Sequence, residues 1–108
     1  MPTVTLYISP YENHPGEYLV VVDGVGFYQS ANKNVGARLR GDDPWFDDHI
    51  LGMGGTGLER VSQQGTFTLS AIATSSQLNE DWGTDEIYAL VEVEGLGTFR
   101  TNTIKARF

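Results

Sequence analysis

A chain of 108 residues with no cysteine, 14 acidic and 7 basic residues and a formal charge of −7 fits a single domain over residues 1–108, held by apolar packing alone. Disulfides, zinc–thiolate sites and cysteine nucleophiles are excluded, and the disulfide density usual in small secreted eukaryotic domains is missing. The negative field has the wrong sign for phosphate, so nucleic acid is not expected as a partner, and no apolar run approaches the ~20 residues of a membrane helix, so no membrane insertion is expected.

The first residues, Met1-Pro-Thr-Val-Thr5, show no basic segment followed by an apolar one, and no secretory leader is expected. The period of two in Thr3–Ser9 predicts a first strand, with Val4, Leu6 and Ile8 on one face and Pro10 as its stop. Tyr11 to Gly16 reads as a polar loop. The β-branched run from Glu17 to Val25 is apolar on both faces and predicts a central strand, with Gly24 and Gly26 marking a bend or bulge at its end. Val35, Ala37 and Leu39 alternate with Gly36, Arg38 and Arg40, which predicts a third strand with a basic outer face.

Gly41 to Gly57 changes character. An acidic, aromatic part (Asp42, Asp43, Trp45, Phe46, Asp47, Asp48) precedes a glycine-rich one, and beyond a short strand near His49–Leu51 the region reads as loop. Another short strand is expected over Leu58–Val61. Phe67, Leu69 and Ala71 then alternate with Thr66, Thr68 and Ser70, and Ser75 to Thr84 forms a polar connection. Ile87, Ala89, Val91 and Val93 line the inner face of the next strand, with Tyr88, Leu90 and Glu92 pointing away. Gly95-Leu-Gly97 turns the chain into a last strand over Thr98–Phe108. Regular short strands separated by turn residues, about seven in number and with no helical period, predict an all-β sandwich or barrel.

The order Ile8-Ser-Pro10, Gly16 and Val20-Val-Val-Asp-Gly-Val-Gly-Phe27 resembles the opening of immunoglobulin-like IPT/TIG domains and of neocarzinostatin-type sandwiches. Gly65-Thr-Phe-Thr-Leu-Ser70 and Ile87-Tyr-Ala-Leu-Val-Glu-Val93 fit the same layout. The Asp42–Asp48 stretch has no counterpart in that pattern, and the cysteines of the neocarzinostatin group are missing. The resemblance implies an all-β, antiparallel immunoglobulin-like sandwich of about seven strands, used for binding or as a spacer and not for catalysis, and it implies no particular site residue.

Several short patterns can be set against plainer explanations. Gly24-Val-Gly26 lacks the third glycine and the helix start of a dinucleotide fingerprint. Arg40-Gly41-Asp42 spells an integrin-type tripeptide in an expected loop, although three-residue strings arise often by chance. The four aspartates at 42, 43, 47 and 48 could supply part of a calcium shell but lack the D-x-D-x-D-G spacing. His14 and His49, set beside serines such as Ser62 or Ser70, form no elbow or oxyanion hole that the sequence reveals.

A non-catalytic interaction or structural module of a bacterial surface or of a phage or virion assembly is therefore expected, with a protein partner or self-association. The contact region is placed at Asp42, Asp43, Trp45, Phe46, Asp47 and Asp48, joined by Trp82, because binding residues concentrate on loops of a rigid scaffold. The alternative is a carbohydrate-binding module in which Trp45 and Trp82 stack on sugar, with or without calcium. A small hydrolase comes third. No other cofactor is expected.

Overall fold

Val20 and Val22 of one sheet face Ile87, Ala89, Val91 and Val93 of another, and all six are buried. A computed structural model describes residues 2–41, 48–54, 59–78 and 85–108. The strands are β1 (Thr3–Pro10), β2 (Glu17–Val25), β3 (Val35–Gly41), β4 (Asp48–Gly54), β5 (Phe67–Thr74), β6 (Asp85–Val93), β7 (Gly97–Arg100) and β8 (Ile104–Ala106). One sheet has the order β1-β2-β5. The other has the order β4-β3-β6-β7, and β8 also pairs with β6.

Every pairing is antiparallel. The chain changes sheet between β2 and β3, between β4 and β5, and between β5 and β6. A three-stranded sheet packed on a five-stranded one makes an all-β antiparallel sandwich. β2 is central in its sheet, as its two apolar faces require, and β3 and β6 are central in the other. Phe27, Phe67 and Leu69 join the valines in the core, and Arg38 stands outward from β3.

Some elements differ from the sequence reading. Pro10 stays in the ladder opposite Tyr18, which an edge strand permits because a missing N–H there costs no partner. The glycine-rich run is not all loop: β4 extends to Gly54 and buries Met53 in the core. Leu58–Val61 is not a strand among the described residues, where a single bridge joins Asn34 and Arg60. Ser75–Leu78 makes one turn of α-helix, α1, whose Leu78 is buried. Tyr88 points away from the core yet is only 2% exposed, because the Arg100 guanidinium covers its ring at 3.7 Å.

The expected last strand is broken by a bulge. Leu90 opposes Arg100 and Ile87 opposes Ile104, so two residues of β6 stand against Thr101, Asn102 and Thr103. Thr101 is buried there: its Oγ1 accepts the Ala89 N–H at 2.8 Å, and its own N–H donates to Ala89 O at 3.0 Å. The extra residue lets Asn102 turn toward the other sheet. Its Oδ1 accepts the Leu6 N–H at 2.7 Å and its Nδ2 donates to Leu6 O at 3.2 Å. One side-chain amide thus replaces a neighbouring strand for the middle of β1 and ties the two sheets along that side.

Asn102→Ala leaves both Leu6 groups without this partner and should lower unfolding free energy by about 1–3 kcal/mol. Asn102→Asp keeps the acceptor, loses the donor, and should fall between the two in urea denaturation. An unchanged midpoint for Asn102→Ala would show that the bulge does not tie the sheets.

Candidate functional site

Strand directions sort the connections into two ends. β1, β3, β5 and β8 run out toward one end, which holds the 11–16 loop, α1 and the chain's last residues. Gly41 pairs with Asp48 and also with Ile87. The departure points of residues 42–47 and 79–84 are therefore close together at this end. Asp42, Asp43, Trp45, Phe46, Asp47 and Trp82 themselves lie outside the described residues. For Asp48 the backbone position in β4 is described and the side chain is not.

The described part of this end is held by local polar contacts. Tyr11 stacks on His14 at 4.4 Å, and His14 Nδ1 lies 2.9 Å from Glu17 Oε2. Ser75 N–H donates to Gly16 O at 2.8 Å, and Tyr18 meets Phe108 edge-on at 5.3 Å. Arg40 and Gly41 of the integrin-type tripeptide lie within β3, between β4 and β6, and not in the expected loop. Gly41 is the last residue of that strand, and Asp42 lies outside the described residues.

Ser62 Oγ lies 2.8 Å from Thr66 Oγ1 and accepts the Thr66 N–H at 3.1 Å, inside a turn at the opposite end from His14. The two cannot act on one substrate. Among the described residues no three His, Asp or Glu side chains gather where a metal could be held.

The opposite end carries an apolar site that the sequence reading missed. Phe27 is driven into the core against Phe67 and Phe99, with ring centroids 5.2 Å away in both cases. Its N–H donates to Gly65 O at 3.0 Å. Gly65 has φ +79°, and a Cβ there would lie 2.8 Å from the Phe27–Tyr28 backbone, so only glycine allows this approach. With Phe27 pinned inward, the 3₁₀ turn Tyr28–Ser30 throws Tyr28 out, where it is 72% exposed.

Leu96 sits at the tip of the β6–β7 turn between Gly95 (φ +76°) and Gly97 (φ +132°). Its N–H donates to Val93 O at 3.0 Å, and it is 48% exposed. Tyr28, Leu96, Pro2, Gly26 and Gln29 border a cleft of about 290 Å³ whose lining holds no charged residue. On its other side Leu96 borders a wider hollow of about 460 Å³ that carries Glu92 and Glu94. The chemistry available at the cleft is apolar and aromatic contact with a hydroxyl at the rim. Its lining includes the Ser30 and Tyr28 hydroxyls but no His, Asp, Glu or Lys to activate them. A leucine between two turn glycines was the sequence signal for it, since a hairpin tip has no core to enter.

No protein-family model matches the chain, and no curated protein matches it. Among solved structures, the X-ray structure of Northeast Structural Genomics Consortium target SoR45 aligns over 100% of this chain and 86% of that chain, at 10% identity and a TM-score of 0.36. A likeness of that degree carries no argument about fold or function.

Phe27→Ala should cost about 3–5 kcal/mol in chemical denaturation, since it empties the contact of three rings. Tyr28→Ser and Leu96→Ser should stay within about 0.5 kcal/mol of wild type, and both should reduce the fluorescence of the apolar dye anilinonaphthalene sulfonate added to the native protein. Dye signal independent of both residues would mean that the cleft is not an accessible apolar surface.

Proposed function

We propose that this chain is a non-catalytic interaction module, an immunoglobulin-like domain that acts as a binding or structural unit in a surface or virion-type assembly. The observation that carries the reading is the pair Tyr28 and Leu96, exposed on neighbouring connections around an uncharged cleft. Rigid aromatic and aliphatic side chains at a desolvatable spot are what anchors a protein contact. Their backbone is fixed from below by Phe27, Gly65 and the Gly95–Gly97 turn, so little ordering cost remains to be met on binding.

The filled core also supports it. The inward side chains occupy the space between the sheets, which leaves the rims and connections as the acting surfaces. The ligand class that fits the cleft is a peptide segment or loop offering one bulky apolar side chain. Asp42–Asp48 and Trp82 are proposed as a second contact region of the same molecule, since Gly41 pairs with both Asp48 and Ile87 at the far end.

A random-peptide display library panned on the whole protein should enrich sequences with a single bulky apolar anchor. Their affinity should fall about tenfold or more in Leu96→Ser, the scale of one lost anchor contact. Glycan-array binding that depends on Trp45 would replace this reading with the carbohydrate-binding one. Turnover of generic ester, phosphate or glycoside substrates would overturn the non-catalytic assignment.

A further inference from the structure

The two sheets end in four strand edges, and three of them carry a device that hinders pairing with another chain. β1 ends in Pro10 and has Asn102 seated on Leu6. β4 pairs with β3 through a register shift and contains Gly52 and Gly54. The β7–β8 edge is interrupted by its bulge and bears Arg100 and Lys105.

β5 has none of these. Phe67–Thr74 runs eight residues in unbroken register with β2 and holds no charge, proline or glycine. From Val61 to Asn79 the sequence contains no charged side chain at all. Among the described residues, Gln77 Oε1 accepts the Thr74 N–H at the strand's end, and Thr68 Oγ1 donates to Asp23 within its own sheet. The first occupies the open edge at Thr74, the strand's last residue, and the second lies on the face of the sheet, so from Phe67 to Ala73 no described residue pairs with that edge. A regular, neutral strand of Thr, Ile, Leu and Phe whose outer backbone groups from Thr68 to Ile72 meet no partner among the described residues is a template for one more strand.

Charge selects the occupant. The molecule carries −7, so two copies repel over most of their surfaces. The 61–79 stretch is a place where they meet without like charges opposed, and it offers a charged foreign strand no counter-charge. We propose that β5 pairs antiparallel with β5 of a second copy, joining two three-stranded sheets into one of six.

Directly opposed residues in an antiparallel pair share a face, so the two-fold axis passes through a residue and not between two. An axis at Ser70 sets Ile72 of each copy against Thr68 of the other on the outer face. It also sets Leu69 against Ala71 on the inner face. The outer pair joins two β-branched side chains of similar shape, and the inner pair sets a large apolar side chain against a small one.

The strand edge shares no residue with the Tyr28–Leu96 cleft, so this pairing can fail while that binding reading stands, and the reverse. Eight residues of edge make an interface well below the standard ~1,600 Å², and association is accordingly concentration-dependent.

Sedimentation velocity of the full chain, from about 1 µM to about 1 mM (a span covering weak interfaces), should show the mass rising from 11.9 kDa toward twice that value. Ser70→Lys puts two ammonium groups across the axis and should raise the dimer dissociation constant about tenfold or more, as like charges directly opposed destabilise a strand pair. Ile72→Lys, at an exposed outer position, should do the same. Ser9→Lys on the β1 edge and Leu96→Ser should leave the dimer unchanged. In wild type, β5 amides should gain hydrogen-exchange protection on concentration, which tests the pairing even if a β5 variant does not fold. A wild-type mass constant at 11.9 kDa overturns the proposal. So does dimerisation unaffected by folded β5 variants, or equally weakened by Ser9→Lys.

Discussion

Apolar contact between two sheets is the constraint from which everything else in this molecule follows. The chain has no cysteine to staple it, and among the described residues no metal cluster to clamp it. Val20 and Val22 must stay against Ile87, Ala89 and Val91, and the strands that carry them must be central. Once β2, β3 and β6 occupy the middle, the edges fall to β1, β4, β5 and β7–β8. The connections are pushed to the two ends. What the molecule can do is then decided by how those edges and ends are finished.

The two long sides are finished differently. Along one, a single inserted residue between β7 and β8 frees Asn102 to bond Leu6, so the bulge converts a strand interruption into a tie between layers. Along the other, β5 is left as an even, neutral ribbon. The ends are also unlike. One carries the Tyr11–His14–Glu17 cluster, and the other presents Tyr28 and Leu96 from a backbone locked by glycines. An asymmetric distribution of this kind gives a small sandwich chemically distinct edges and ends.

Much of the fold was legible in the sequence because one physical signal, alternation against a buried face, sets both strand identity and strand position. β2 has the bounds its β-branched run predicts, and the inward set of β6 is the one its alternation names. The misreadings arise where a different force decides. Met53 is buried among glycines because β3 supplies a ladder for β4, which no local propensity reports. Tyr88 is buried on the outer face by Arg100, a contact twelve residues away in sequence. The bulge at Thr101–Thr103 depends on a bond to Leu6, which is farther still.

The site was legible only in outline. Composition drew attention to Asp42–Asp48 and Trp82, whose flanks meet at one end of the sandwich. Tyr28 and Leu96 went unnoticed because an exposed apolar side chain looks like a core residue until the neighbouring Phe27 and the turn glycines are seen to exclude it. Amide hydrogen exchange, residue by residue, tests the central claim most directly, because central strands of a layered core open only with the whole domain. The account predicts the slowest exchange at Val20–Val22, Ala37–Leu39 and Ala89–Val91, all sharing one opening free energy. Fast exchange in β2, or separate opening energies for β2 and β6, would mean that burial between the sheets is not what holds this protein together.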